Sequence, residues 1–252
     1  MTATAFARQT AGVTLFRYAD EIVERFPSIV GGVVHARGLR NGPAPPELAA
    51  AFVDEQRRTL ARIGDRPLSE LSSLAAWRRV FTAFGVEPTR YRSAAEALLR
   101  RLTKHGDIPA INLLVDLGNL VSIRYAMPVA VFDQREVTGG TTVRFADGSE
   151  RFTDLGSELE DRPEPGEVVF ADDAGLVSAR RWCWRQSAQS AARHDTAEVV
   201  VTIEGHHDSA AADVAAAVAD LLELLARHAG PDTLDHAVLD SRISSFEPRS
   251  RG

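Results

Sequence analysis

The chain of 252 residues carries a net charge of −6, with 44% apolar and 25% charged side chains, which is the composition of an ordinary globular protein. An acidic total excludes a surface that attracts polyanions as a whole, so any nucleic-acid contact requires a local basic patch. The one cysteine, Cys183, excludes an intrachain disulfide, no apolar run is long enough to span a membrane, and MTATAFARQT lacks the apolar core of a signal peptide, so a cytoplasmic protein is expected.

Residues 1–12 read as loose, and Val13 to Phe16 as a short strand. Ala19 to Phe26 has helical character and stops at Pro27. IVGGVVHA, Ile29 to Ala36, reads as a buried strand in which Gly31 and Gly32 mark a bulge or a close backbone approach, with His35 a core or edge histidine. Pro46 to Ile63 is predicted as a polar-faced helix ended by Gly64. A second helix, Ser69 to Phe84, places Leu74, Trp77, Phe81 and Phe84 on one face as core. Ser93-Ala-Ala-Glu96 has the form of a capping box: the serine caps the first turn and the glutamate returns to the serine N–H. The helix that follows turns Leu98, Leu99 and Leu102 inward and ends at His105-Gly106.

Pro109 to Arg124 reads as a helix apolar nearly all round, hence buried. Asn112, Asp116, Asn119 and Ser122 recur along one of its faces. A polar line inside a buried helix needs hydrogen-bond partners or a cavity to face.

After Pro128 the pattern turns to short strands at Val129 to Asp133, Thr141 to Ala146, Glu150 to Leu155, Glu167 to Asp172 and Gly175 to Arg185, separated by Gly-, Asp- and Pro-bearing turns. Asp133 and Asp172 fall at strand-to-turn positions. In the last of these runs alternation puts Cys183 on one face, as a buried thiol, and Trp182 and Trp184 on the other. Ala197 to Glu204 is predicted as the final strand, His206-His207 as a surface turn, and Ser209 to Arg227 as an amphipathic helix, with the last dozen residues loose. Helices first and strands second argue an α+β fold, helices packed on mainly antiparallel sheet, with residues 1–252 as a single domain. Phosphate loops, dinucleotide fingerprints, HExxH, paired CxxC and GxSxG elbows are absent. No metal or cofactor is expected.

Four pieces, YRSAAEALLRR, INLLVDLGNLVS, PVAVFD and RRWCWRQS, stand in an order that resembles the B3/B4 domain of the bacterial phenylalanyl-tRNA synthetase β subunit, most closely its free-standing members. The resemblance covers most of residues 29–205, with a helix at about 209–228 beyond it. It implies an editing fold that hydrolyses the ester of a mischarged aminoacyl-tRNA, acting in trans. The alternatives are a non-catalytic RNA- or protein-binding module of the same fold and an amino-acid-binding sensor. One departure is informative: where the synthetase motif reads Pro-x-His-x-Phe-Asp, Pro128 to Asp133 carries Ala130 at the histidine position. A second is Arg181 to Gln186, which replaces a glycine-rich pocket segment.

The polar residues that these motifs carry give the candidate site. Asn112, Asp116 and Arg185 are the catalytic candidates, with Asn119, Trp182, Trp184, Gln186 and Thr196 for substrate binding. Arg78, Arg92, Arg100 and Arg101 are the candidates for binding tRNA phosphates.

Overall fold

The computed structural model describes residues 14–249; the expectation of a loose segment at 1–12 lies outside them. Three layers are built from two sheets and a layer of helices. The first sheet is antiparallel throughout, in the order β11-β2-β10-β3, from Thr233–Leu239, Val30–Arg37, Glu198–Gly205 and Val129–Asp133. The second has six strands, in the order β12-β1-β4-β7-β8-β9. These are Ser245–Phe246, Phe16–Tyr18, Thr141–Phe145, Val168–Asp172, Val177–Arg180 and Arg185–Gln186. Its one parallel pair is β1 with β4. A small pair, β5 at Phe152–Thr153 and β6 at Glu160–Asp161, stands apart.

Helices α5 (Leu113–Tyr125) and α6 (Ala210–His228) cover one face of the first sheet, and α2 (Pro46–Ile63) and α4 (Ala94–His105) pack against α5. There Val34, Ala36, Val131, Val199, Val201 and Ile203 meet Leu48, Leu99, Leu117, Val121 and Leu221. Alternation sends Val33, Phe132 and Val200 to the opposite face, against Phe16, Val143, Val168 and Phe170 of the second sheet. Two further helices, α1 (Asp20–Arg25) and α3 (Ser72–Ala83), close this second core with Ile22, Trp77 and Phe81. The fold is α+β, as the order of elements predicts.

Local chemistry sets the helix limits. Pro46 opens α2 at its first position and Gly64, at φ 56°, ends it. Ser93 caps α4 by accepting from the Glu96 N–H, but the Glu96 carboxylate does not return to the serine: Arg78 takes it with bonds of 3.0 and 2.6 Å. A half-buried guanidinium partner outcompetes the capping bond. The predicted second helix is broken at Leu71 into a 3-10 turn, Leu68–Glu70, and α3. The helix expected from Pro109 begins only at Leu113, because Asn112 is its cap. β10 is not the final strand: β11 and β12 follow α6 and pair with β2 and β1, so the C-terminal segment is tied down as far as Phe246. Their half-exposed, polar alternation hid them as edge strands.

The two glycines of β2 mark close approaches, with the register continuous through both. A Cβ on Gly32 would lie 2.3 Å from Val218 Cγ2 of α6, and one on Gly31 2.1 Å from Tyr18 Oη. Gly31 pairs with Glu204 across the sheet, so the space above it is what lets the Tyr18 hydroxyl reach that residue. Gly31→Ala is expected to destabilise the protein by about 1–3 kcal/mol through overpacking, read from urea unfolding. Because the clash is with the tyrosine hydroxyl, Gly31→Ala combined with Tyr18→Phe is expected to cost less than the sum of the two single losses.

Candidate functional site

A crevice of about 60 Å³ opens where the two sheets part. Ala130 and Phe132 of β3 and Thr202 and Glu204 of β10 form one wall; Phe170 and Ala179 form the other. The segment Trp182 to Gln186 closes its mouth with Ala94. The volume holds a few waters or a small group as it stands. Its shape depends on a turn between β8 and β9, where Arg181 and Trp182 both take positive φ, 43° and 59°. Two successive non-glycine residues in that region are held there at a cost of roughly 1–3 kcal/mol each. The turn corrects the expected alternation: Trp182 goes fully inside, Trp184 stays half-exposed at the mouth, and Cys183 lines the crevice between them.

Glu204 is the polar centre of this crevice and is only 2% exposed. Its Oε1 accepts from Tyr18 Oη at 2.7 Å and from Trp182 Nε1 at 3.1 Å, while its backbone carbonyl accepts from Trp77 Nε1 at 3.3 Å. No described residue donates to Oε2. Burial pushes the carboxyl up to about 7 against the pull of the two donors. Burial first, and the carboxylate second, raises Tyr18 and Cys183 as well. Two residues on, His206 packs among Trp77, Trp182 and Phe26, and burial with the neighbouring His207 lowers it to about 3. The histidine pair is therefore buried rather than a surface turn, His206 on Ser28 and His207 on Asp213.

The expected site residues divide among three places. Trp182, Trp184, Arg185 and Gln186 do line the crevice. Arg185 also pairs with Asp154 at 3.3 Å, and Gln186 donates to the carbonyls of Val131 and Ser190 at 2.8 Å each. The polar line of α5 does not face it. Asn112 caps its own helix at the Val115 N–H and donates to Ala192 O; Asp116 Oδ1 accepts from the Ile111 N–H; Ser122 donates to Met127 O; Asn119 is half-buried. Asp116 Oδ2 is buried without a partner, and desolvation raises its pKa. Thr196 is buried in a turn, bonded to Asp133 and to the Arg193 N–H. Asp133 and Asp172 hold turns, accepting from the N–H groups of Arg135 and of Ala174 and Leu176. His35 is a core histidine on Glu198 at 2.7 Å.

The arginines lie elsewhere again. Arg78 and Arg92 converge on the buried Glu96, which leaves one surplus positive charge there. Arg78 and Glu96, together with Arg66, Arg100, Arg101 and Lys104, border a groove of about 760 Å³ between the 3-10 turn and α4. Among the described residues no group of three or more His, Cys, Asp or Glu is placed to hold a metal ion, and no helix is long and apolar enough to cross a membrane. Sequence reasoning passed over Glu204, Tyr18 and Thr202. A signal was present in AEVVVTIEG: a carboxylate on the same face as Val200 and Thr202, in a strand too apolar to expose either side.

The two shifted groups predict a pH dependence. The folded protein keeps the Glu204 proton up to about pH 7, against an ordinary 4.5 when unfolded, so this contribution is complete below 4.5 and lost as pH rises through 7. His206 runs oppositely: held neutral down to about 3 against an ordinary 6.5, it contributes fully above 6.5 and loses this as pH falls through 3. Between 4.5 and 6.5 the two slopes oppose each other. Glu204→Gln uncovers the histidine slope, so relative to wild type the variant is expected to gain roughly 1.4 kcal/mol per pH unit across that window. Urea midpoints measured as a pH series check this; parallel profiles for the two proteins contradict it.

Residues 76–237, more than half of the chain, match the B3/4 domain family. The phenylalanine–tRNA ligase beta subunit of Nitrobacter winogradskyi is 39% identical over 83 residues, which is 33% of this chain and 10% of the subunit. That of Nocardia farcinica is 35% identical over 143 residues, 52% of this chain and 16% of the subunit. An N-terminal fragment of the phenylalanyl-tRNA synthetase beta-subunit from Pyrococcus horikoshii, 12% identical, aligns over 93% of this chain and 56% of its own, with a TM-score of 0.46. This chain thus spans a small part of the ligase subunits it is similar to, and the crevice, the capped α4 and the strand carrying Ala130 all lie within or against the matched span: it belongs to the B3/4 domain family.

Proposed function

We propose that this chain, as a single unit, is an aminoacyl-tRNA deacylase that acts in trans and cleaves the ester of mischarged tRNA. The observation that carries this reading is Glu204, a carboxyl buried in the crevice with its Oε1 held by Tyr18 and Trp182 and its pKa pushed up by burial to about 7, in a domain similar to part of phenylalanine–tRNA ligase beta subunits. A carboxyl poised there serves as general base without metal or histidine. Ala130 pairs with Thr202 across β3 and β10, and Glu204 follows two residues along the same face of β10, so the carboxyl takes over the neighbourhood in which the family motif has its histidine.

In this mechanism Oε2 of Glu204 accepts a proton from a water in the crevice. The water oxygen forms its bond to the ester carbonyl carbon, and the carbonyl electrons move to its oxygen. Arg185 at the mouth stabilises that oxyanion. Collapse breaks the carbon–oxygen bond to the ribose, and the leaving oxygen takes the proton back from Glu204. Trp182, Trp184 and Gln186 bound the space left for the amino acid, while Asn112, Asp116, Asn119 and Thr196 support the fold behind it. The groove bordered by Arg66, Arg100, Arg101 and Lys104 supplies the local basic patch that an acidic chain needs to hold tRNA phosphates. The competing reading, a binding module without chemistry, rests on Ala130.

Deacylation of a panel of mischarged tRNAs decides between them. Glu204→Gln is expected to lower the rate roughly 10²- to 10⁴-fold, while Arg100→Ala with Arg101→Ala raises KM and leaves kcat nearly unchanged. Binding of tRNA with no hydrolysis above the buffer rate for any member of the panel overturns the deacylase and leaves the binding module.

A further inference from the structure

Of the three tryptophans, Trp77 and Trp182 are sealed in the core, and only Trp184 is half-exposed. Its ring stands edge-to-face with Tyr91, also half-exposed, at 4.9 Å and 87°. Guanidinium groups surround the pair: Arg181 lies 4.2 Å from the Tyr91 centroid and 4.8 Å from that of Trp184, Arg185 5.0 Å from Trp184, and Arg90 5.0 Å from Tyr91. Arg181 is fixed by Glu167 at 2.9 Å. Arg185 holds only an exposed partner, Asp154, and Arg90 has no ion pair among the described residues. An exposed pair of that kind contributes little to stability. Tyr91 and Trp184 rest against the edge of the second core, and the groove on α4 does not use this cluster.

We infer that Trp184 and Tyr91, with their arginines, form a stacking platform for an unpaired nucleobase at the end of a single-stranded nucleic acid. Unpaired bases are bound by stacking on aromatic rings and guanidinium planes, with nearby cations neutralising the phosphates. The cluster provides both in one place on a chain whose net charge is −6. Trp184 and Arg185 also line the crevice, so a base stacked here brings its own sugar to the crevice mouth. That the sugar carries an aminoacyl ester rests on the deacylase reading; the stacking itself does not.

The test is fluorescence anisotropy with labelled triadenylate RNA and with the same strand lacking its 3′-terminal base. The wild-type protein is expected to bind the intact strand about tenfold or more tightly than the abasic one. Trp184→Ala removes that difference and Trp184→Phe keeps most of it. Equal binding of the two strands by wild type, which needs no variant to fold, overturns the platform, as does discrimination that survives Trp184→Ala. Discrimination without ester hydrolysis by the same preparation refutes the deacylase and keeps the platform; hydrolysis without discrimination does the reverse. A crevice mouth that instead docks a protein partner appears as indifference to the base.

Discussion

The structure is arranged around one buried carboxyl. Glu204 lies between two sheets in a core of aromatic rings, where an unsolvated acid is tolerated only if donors meet it. Those donors come from distant parts of the chain: Tyr18 from the first strand, reaching over Gly31, and Trp182 from a strained turn. The sheets cannot close over this group, and the space they leave is the crevice. Polar burial, usually a burden, here defines where the crevice lies.

The strained turn and α4 join this crevice to the basic groove. The Ala94 N–H donates to the Cys183 carbonyl at 2.8 Å, so the start of α4 is bonded to the turn that carries both tryptophans. Further along the same helix, Glu96 gathers Arg78 and Arg92, and Arg100, Arg101 and Lys104 border the groove. One helix thereby fixes the spacing between the basic groove and the crevice.

Much of this architecture was legible in the sequence where the signal is local. Pro46 and Gly64 bound α2 as predicted, Ser93 caps α4, and Val129 to Asp133 is a strand to the residue. The line of Asn112, Asp116 and Ser122 was visible too, but its meaning was not: each residue makes a bond to backbone within five residues, which periodicity alone cannot distinguish from a pocket wall. The site itself was hidden because its contacts are long-range. Tyr18 and Glu204 are 186 residues apart. Positive φ at Arg181 and Trp182, with no glycine to announce it, turned an apparent strand into the wall of the crevice.

The account stands on Glu204 being a neutral acid that ionises near neutrality. The most direct measurement is a ¹³C NMR titration of its side-chain carboxyl in the intact protein, assigned by comparison with Glu204→Gln. A midpoint at about 7, raised by burial against the pull of the two donors, is the expected result. A carboxyl already ionised at pH 5, roughly the upper end of the range for an ordinary exposed glutamate, would contradict the account, because burial would then not raise its proton affinity and Glu204 would be no stronger a base than an exposed glutamate.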